Sequence, residues 1–345
     1  MTKIRVARDN DQTAWQNFLD EVGEHSPLAR YGWRHVLEHA YGLETHNWIA
    51  TRAGNIVGVL STYVACSLRG RRRLFSPRGG LVFRDSDACN ALIDAACGMK
   101  ESGAVSAVEL TSGRRSMERE GVFQKTTILL PLDPDIELMW TGLRDKTRNM
   151  IRKAGKQGVS VVEGDPISTG HLYRHYRDNM MRLGVAFHRR EFFEAVISIR
   201  PSPSTLLVAQ VSGRPIATML VLLGGGEAQY PYQNVSEEYR RSAAIQLLNW
   251  ECMKLCAQLG YQWLDMGESR QASPVYKSKI NFGGAPHPVY YFSTEVLESP
   301  EISRSSVNPN GGVKRPSLDH FLGRYAGKSI RGWYLQRKLS SGRVI

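Results

Sequence analysis

The chain has 345 residues, 42% of them hydrophobic and 23% charged, with a formal net charge of +12. This is the composition of a globular protein long enough for two domains. No apolar run approaches the ~20 residues of a membrane span, and no apolar segment follows Met1–Arg5 as a signal peptide would require, so the expected location is cytoplasmic. The positive charge favours polyanionic partners such as RNA, nucleotide-linked precursors or an anionic membrane face. Cys66, Cys89, Cys97, Cys252 and Cys256 lack metal-type spacing and read as free thiols, with no metal site expected.

Residues 4–7 read as a strand, and residues 11–22 as an amphipathic helix with Trp15, Phe18, Leu19 and Val22 on one face. Ser26-Pro27 opens a second helical segment that carries Tyr31, Trp33, Val36, Leu37 and Ala40. Strands follow over 47–52, 56–68 and 73–83, the first two joined by the turn Ala53-Gly54-Asn55. Residues 69–73 form a basic turn, read as solvated. The third strand contains Ser76-Pro77-Arg78-Gly79-Gly80. Adjacent glycines let a backbone come close to a ligand, and Arg78 suits a phosphate or carboxylate. An alanine-rich helix over 87–101 and strands over 106–110 and 126–132 complete a first domain, residues 1–135.

Asp133-Pro134-Asp135 marks the boundary with a second domain, residues 136–298. Residues 136–158 read as helices in which Arg144, Arg148 and Arg152 share one face. Asp145 is the local acid, so this face is expected to be unpaired and to suit phosphate oxygens. A strand over 159–162 and a helix over 169–183 precede His188, read as a surface-loop histidine with a substrate contact the alternative. Strands over 205–211, 216–223 and 228–233 form a meander cut by Ser212–Pro215 and Gly224–Gly226. Pro231 predicts a local break in pairing. A helix over 238–259 stops at Gly260, and a strand over 261–266 leads into Gly267-Glu268-Ser269-Arg270. Residues 299–345 are a linker and tail. Within it, 318–339 carries Leu318, Phe321, Trp333 and Tyr334 among basic residues, a pattern that either lies on an anionic membrane surface or packs on its own domain.

One stretch organises the rest. From Thr205 to Phe292 the order is strand, Gly213-Arg214-Pro215-Ile216-Ala217, strand, Tyr230-Pro231-Tyr232, helix, Gly260-Tyr261-Gln262-Trp263-Leu264-Asp265-Met266-Gly267, and Lys279-Ile280-Asn281-Phe282-Gly283. This order resembles the Fem-type aminoacyltransferases, and more closely the FemAB-like proteins of bacterial exopolysaccharide and PEP-CTERM/exosortase systems. The resemblance covers residues 1–295 and is strongest over 143–292. It implies an α/β (α+β) fold of two tandem GNAT-like domains with mixed central sheets. It also implies transfer of an acyl or aminoacyl group to an amine or hydroxyl of a cell-envelope or exopolysaccharide precursor.

The implied co-substrate is aminoacyl-tRNA or acyl-CoA, with no tightly bound cofactor. The implied acceptor is an anionic nucleotide- or lipid-linked glycan. Lys279 matches the family lysine, which would neutralise a phosphate or stabilise an oxyanion. Tyr232 is the candidate proton donor or positioning group, and Glu268 the candidate base, although relatives often carry Gly-Arg-Ser where this chain has Gly267-Glu268-Ser269. Trp33, Arg78, Gly79, Arg148, Arg152, Tyr230, Arg240, Arg241, Ser269 and Tyr276 are the candidate substrate-binding residues, although a core position is the favoured reading of Trp33. Acyl-CoA enzymes of the GNAT class place an Arg/Gln-x-x-Gly-x-Gly/Ala turn on the donor phosphates. Here Arg240-Arg241-Ser242-Ala243-Ala244 lacks the glycines, which weighs toward the tRNA donor. The competing readings are an acyl-CoA-dependent N-acyltransferase acting on an amino sugar or small amine, and a non-catalytic scaffold of a polysaccharide export system.

Overall fold

The computed structural model describes residues 1–66, 70–165, 167–184 and 187–295. The C-terminal tail, with its amphipathic segment at 318–339, lies outside them, as does residue 69 of the basic turn. In chain order the first half contains β1 (Lys3–Val6), α1 (Gln12–Val22), α2 (Trp33–Tyr41), β2 (Glu44–Arg52), β3 (Asn55–Cys66), β4 (Arg72–Phe75), β5 (Leu81–Phe83), α3 (Ser86–Glu101), β6 (Ala107–Gly113) and β7 (Val122–Pro131). The second half contains α4 (Ile136–Gly142), α5 (Asp145–Lys156), β8 (Val159–Glu163), α6 (Ser168–Leu183), α7 (Arg190–Ile199), β9 (Ser204–Val211), β10 (Arg214–Leu223), β11 (Glu227–Val235), α8 (Ala244–Gln258), β12 (Trp263–Glu268), α9 (Pro274–Asn281) and β13 (Ala285–Ser293).

The strands make one mixed sheet in the order β1-β2-β3-β4-β6-β13-β7-β12-β11-β10-β9-β8, with β5 also on β3. Each half contributes an antiparallel run ending in one parallel pair, β4 with β6 and β11 with β12. The last strands then cross over. β13 pairs with β6 of the first half, and β7 pairs with β12 of the second. β7 and β13 also pair with each other over Ala285–Phe292, which stitches the halves through backbone hydrogen bonds.

Four apolar clusters sandwich this sheet. α4, α5 and α8 cover one face of the second half, where Leu143, Ile151, Ala154, Leu248 and Cys252 pack on Ile216, Val221 and Leu264. α2, α6 and α7 cover the other face. α3 and α1 cover opposite faces of the first half.

The sequence pattern places most of these elements, and three differences have plain causes. The strand expected over 73–83 is broken at Ser76–Gly80, because Pro77 and the left-handed Gly79 turn the chain out of the sheet. The helix expected over 238–259 begins only at Ala244. Before it, Glu237–Tyr239 is a short 3-10 turn, and Ala243 takes left-handed φ of 59°. β13 falls where the sequence pattern assigned no element, and it carries Pro286 and Pro288, which a strand tolerates only at an edge or bulge. Both prolines lie where β13 pairs with β7 alone, so one edge there needs no ladder donor.

Gly224–Gly226 does more than turn the chain. The segment after α1 runs against it: the His25 backbone N–H donates to the Gly225 carbonyl at 3.3 Å, and a Cβ on Gly225 would overlap the Gly23 carbonyl oxygen. A Gly225→Ala chain is therefore expected to lose on the order of 1–3 kcal/mol from backbone crowding. That should lower the calorimetric melting temperature by at least a few degrees; an unchanged midpoint would refute this close-packing account.

Candidate functional site

β11 and β12 run parallel only over Glu227–Gln229 and Trp263–Asp265. Beyond that point β11 carries an irregularity opposite Leu220–Leu222, around Tyr230 and Pro231. A proline cannot donate to a ladder and a bulge re-aims the strand, so the two strands part where the sequence predicted a break. The mouth of this splay gathers side chains from both halves.

Asp265 stands at its centre, 2% exposed. It accepts from Thr127 Oγ1 at 2.6 Å and from the Gly267 backbone N–H at 2.7 Å, and its other oxygen pairs with Arg78 at 2.5 Å. Burial works against the charge on the Arg78 guanidinium, but Asp265, with Tyr291, Glu268 and Glu227 behind it, holds Arg78 firmly protonated. Glu268 lies 3.9 Å from Arg78 and accepts a short hydrogen bond from the Tyr291 hydroxyl. Deeper in, Glu227 pairs with Arg114 at 3.1 Å and accepts from Gln229 at 2.6 Å. Burial and the neighbouring Asp265 push the Glu227 carboxyl up to about 7.

Lys279 enters from α9, which Ser273 caps by accepting from the Tyr276 N–H and which Pro274 starts. In the fold, a helix ahead of Gly283 and Gly284 buries the lysine until it is 8% exposed. Its ammonium donates to the Gly267 carbonyl at 2.9 Å and to Ser269 Oγ at 2.7 Å. Burial lowers its pKa to about 8, with Arg78 adding to the effect and Asp265 and Glu268 opposing it. A lysine in that range can hold a positive charge beside a developing oxyanion or give up a proton near neutral pH.

Arg78, Glu268, Ser269 and Lys279, each a candidate from the sequence, are thus brought together. Gly79 belongs to the same loop, but its left-handed backbone (φ 73°) faces Ser26, whose Cβ would lie 2.6 Å from an added side chain. The tight approach there is chain to chain. Tyr276 packs on the core of the second half. Arg240 pairs with Glu237 at 3.1 Å, and Arg241 is exposed before α8.

Several expectations are corrected. Trp33 is buried and donates to the Pro27 carbonyl at 2.9 Å, so it lines a core and not a cleft. Tyr230 is buried in the cluster under α8, because the strand irregularity turns it away from the face that Tyr232 takes. Arg148 does not lie on an unpaired face. It pairs with Asp145 and donates to the Thr141 carbonyl at 2.9 Å, closing the end of α4. Arg152 lies over Trp140 and bonds Asn149. His188 is buried, not in a surface loop, and meets the Tyr232 hydroxyl at 2.9 Å.

Glu227, Arg114, Tyr291 and Ser26 were not singled out beforehand. One signal was available for the buried carboxylates: Asp265 inside Trp263-Leu264-Asp265-Met266 puts a charge in an apolar strand, which requires a partner. Among the described residues no group of three or more His, Cys, Asp or Glu is placed to hold a metal ion, and no helix is long and apolar enough to cross a membrane.

The comparisons agree with this architecture. The family model of the acetyltransferase (GNAT) domain matches residues 142–278. The crystal structure of FemX superposes with a TM-score of 0.64 at 13% identity, covering 86% of this chain and 98% of that one. A tandem GNAT protein from the clavulanic acid biosynthesis pathway superposes at 0.54 with 12% identity, covering 87% of this chain and all (100%) of that one. The C-terminal domain of a putative lysylphosphatidylglycerol synthetase from Agrobacterium fabrum gives 0.55 at 10% identity, covering 83% and 92%. No curated protein sequence matches the chain. The chain has a tandem GNAT-like fold with a large mixed sheet.

Two measurements check the site's electrostatics. Arg78→Met strands Asp265, so urea unfolding should show a loss of about 3 kcal/mol, whereas Arg148→Met, whose partner Asp145 is exposed, should cost under about 1 kcal/mol. Equal losses would mean that the Arg78 pair is no more buried than a surface pair. For Lys279, folding lowers the pKa from 10.5 to about 8. Between those values only the unfolded chain keeps the proton, so stability rises with pH across that window. Relative to Lys279→Met, the wild type should gain up to about 3 kcal/mol from pH 8 to 10.5; parallel stability curves would show that the lysine is not buried as described.

Proposed function

We propose that this protein is an acyl or aminoacyl transferase of the FemAB-like type. It would pass an activated acyl group to an amine or hydroxyl of an anionic cell-envelope or exopolysaccharide precursor, at the cytoplasmic face of the membrane. The observation that carries the reading is the splay between β11 and β12, with Lys279, whose pKa burial lowers to about 8, held against Gly267 and Ser269 at its mouth. Acyl transfer needs a bound donor, a group that handles the acceptor proton and a donor for the oxyanion. Lys279 and Ser269 fit the oxyanion position, Glu268 lies beside them for the acceptor proton, and Arg78 can meet an anionic acceptor. Positioning in such a cleft supplies much of the rate even without a strong base.

For the donor, aminoacyl-tRNA is the first reading, supported by the missing glycines before α8 and by the basic charge. Acyl-CoA is the second, and one observation favours it. Ala243 takes a left-handed backbone just before α8, a conformation glycine favours, and a tight turn at a helix start can offer its N–H groups to a donor phosphate. The basic segment at 318–339 would hold the protein on an anionic membrane.

Thermal shift with coenzyme A and acetyl-CoA separates the donors. At ~100 times its dissociation constant a ligand adds about 2.7 kcal/mol, a shift of a few degrees for a chain of this size. A clear shift selects acyl-CoA. No shift at millimolar ligand, followed by transfer from charged tRNA that Lys279→Ala abolishes, selects the tRNA donor. Unchanged cellular function in Lys279→Ala would overturn the enzyme reading in favour of a scaffold.

A further inference from the structure

α5 carries five cations and one acid, and the fold sorts them. Thr147, Ile151 and Ala154 are buried in the second half. Arg148 turns aside to Asp145 and to the end of α4. Lys146, Arg152, Lys153 and Lys156 are left exposed on the solvent side of the helix. Among the described residues the acid of the helix is taken by Arg148, and no ion pair engages the other four cations. Arg152 is fixed over Trp140 and bonds Asn149, neither of which carries charge. Lys156 lies three and four residues after Lys153 and Arg152, spacings at which like charges repel and cost a helix stability.

The start of α5 fixes where this charged face lies. Arg144 donates to Asn281 Oδ1 at 3.0 Å, and Thr147 Oγ1 donates to the Asn281 carbonyl at 3.0 Å. Asn281 ends α9, two residues after Lys279. The helix that delivers Lys279 to the splay therefore abuts the start of α5, and the cations extend from that contact. From Lys146 to Lys156 they span ~15 Å, the axial rise of about four stacked nucleotides of one strand. A row of phosphates relieves the repulsion. A lipid surface needs apolar side chains beside the cations, and the apolar side of α5 is packed into its own core.

Resting on the aminoacyl-tRNA reading above, we propose that the outer face of α5 is the docking surface for the donor RNA, with Lys146, Lys153 and Lys156 holding successive phosphates of the strand whose 3′ ester lies at Lys279. The contact is to the backbone, so it sets the position of the strand without reading its bases. Those phosphates stay bound from the encounter to the transition state, so the face lowers KM and leaves kcat as it is.

The test compares two triple variants of the full chain. One is Lys146→Gln with Lys153→Gln and Lys156→Gln. The other removes the same charge elsewhere, through Lys3→Gln, Lys100→Gln and Arg174→Gln; all six side chains are exposed. Fluorescence anisotropy with an acceptor-stem RNA hairpin ending in single-stranded CCA should show the wild type and the control binding alike. The α5 triple should bind about 100-fold more weakly at about 0.1 M salt, and its slope of log K against log salt should flatten by about two to three. In transfer from alanyl-tRNA to glucosamine, its KM should rise comparably at unchanged kcat. With alanyl-adenosine, which has the ester but no row of phosphates, its KM should stay within about twofold of the wild type. Equal losses in the two triples, an unchanged slope in the α5 triple, or a wild type that fails to bind the hairpin at low salt overturns the proposal. So does an α5 triple that releases phosphatidylglycerol vesicles but keeps the hairpin, which would make the face a lipid surface. Transfer from alanyl-tRNA with KM unmoved in the α5 triple removes the docking face and keeps the transferase. Hairpin binding through α5 in a wild type that transfers from neither alanyl donor overturns the transferase reading, and the donor role of the face with it.

Discussion

A carboxylate in an apolar strand must be satisfied from every side, and Asp265 shows how much structure that demand recruits. Its hydrogen bond from Thr127 ties β12 to the crossed-over β7, its bond from the Gly267 N–H bends the strand end, and its ion pair draws in Arg78 from the first half. Removing two charges from water costs several kcal/mol per ion, recovered only with good geometry and further hydrogen bonds. The loop at Ser76–Gly80 therefore cannot drift from the second half without exposing an unpaired charge. Lys279 and Glu227 are tuned by the same pair of charges, so the electrostatics of the splay and the docking of the halves are one arrangement.

The sheet enforces that arrangement by other means. Exchanging β7 and β13 makes the join between the halves a backbone ladder, with a hydrogen-bonded edge in place of a side-chain interface. The chain then passes within van der Waals contact at Gly225, where only a residue without Cβ fits. Two rigid halves with one shared sheet offer little hinge motion at the site. Such stiffness suits a site that works by holding groups in place.

Much of this was legible beforehand, for local reasons. The meander over β9–β11, the break at Pro231 and the helices α1, α3 and α6 follow from apolar periodicity and turn residues. Arg78, Glu268, Ser269 and Lys279 were each singled out from the residues or the resemblance, and it is the fold that brings them together. What misled was local in the same way. Arg148 looked unpaired because its partners include backbone carbonyls at the end of α4, which charge counting does not see. His188 looked like a loop histidine because it lies between two helical segments and just before Arg189-Arg190, yet α2, α6 and β11 close around it. β13, to which no element was assigned, carries two prolines that are tolerated because of which strand edge they face.

The duplication of the fold marks the limit between the two kinds of information. No repeat is visible in the residues, since an apolar strand can be written in many ways. The same antiparallel run and single parallel pair nevertheless recur in both halves. By itself the sequence determined where strands, helices and turns lie, because side-chain periodicity and backbone preference act over a few residues. Only the tertiary structure decided that the last strands cross over, that Tyr230 and Tyr232 face opposite ways, and that Asp265 meets Arg78. Those outcomes depend on pairing register and burial across some two hundred residues, where no local preference reaches.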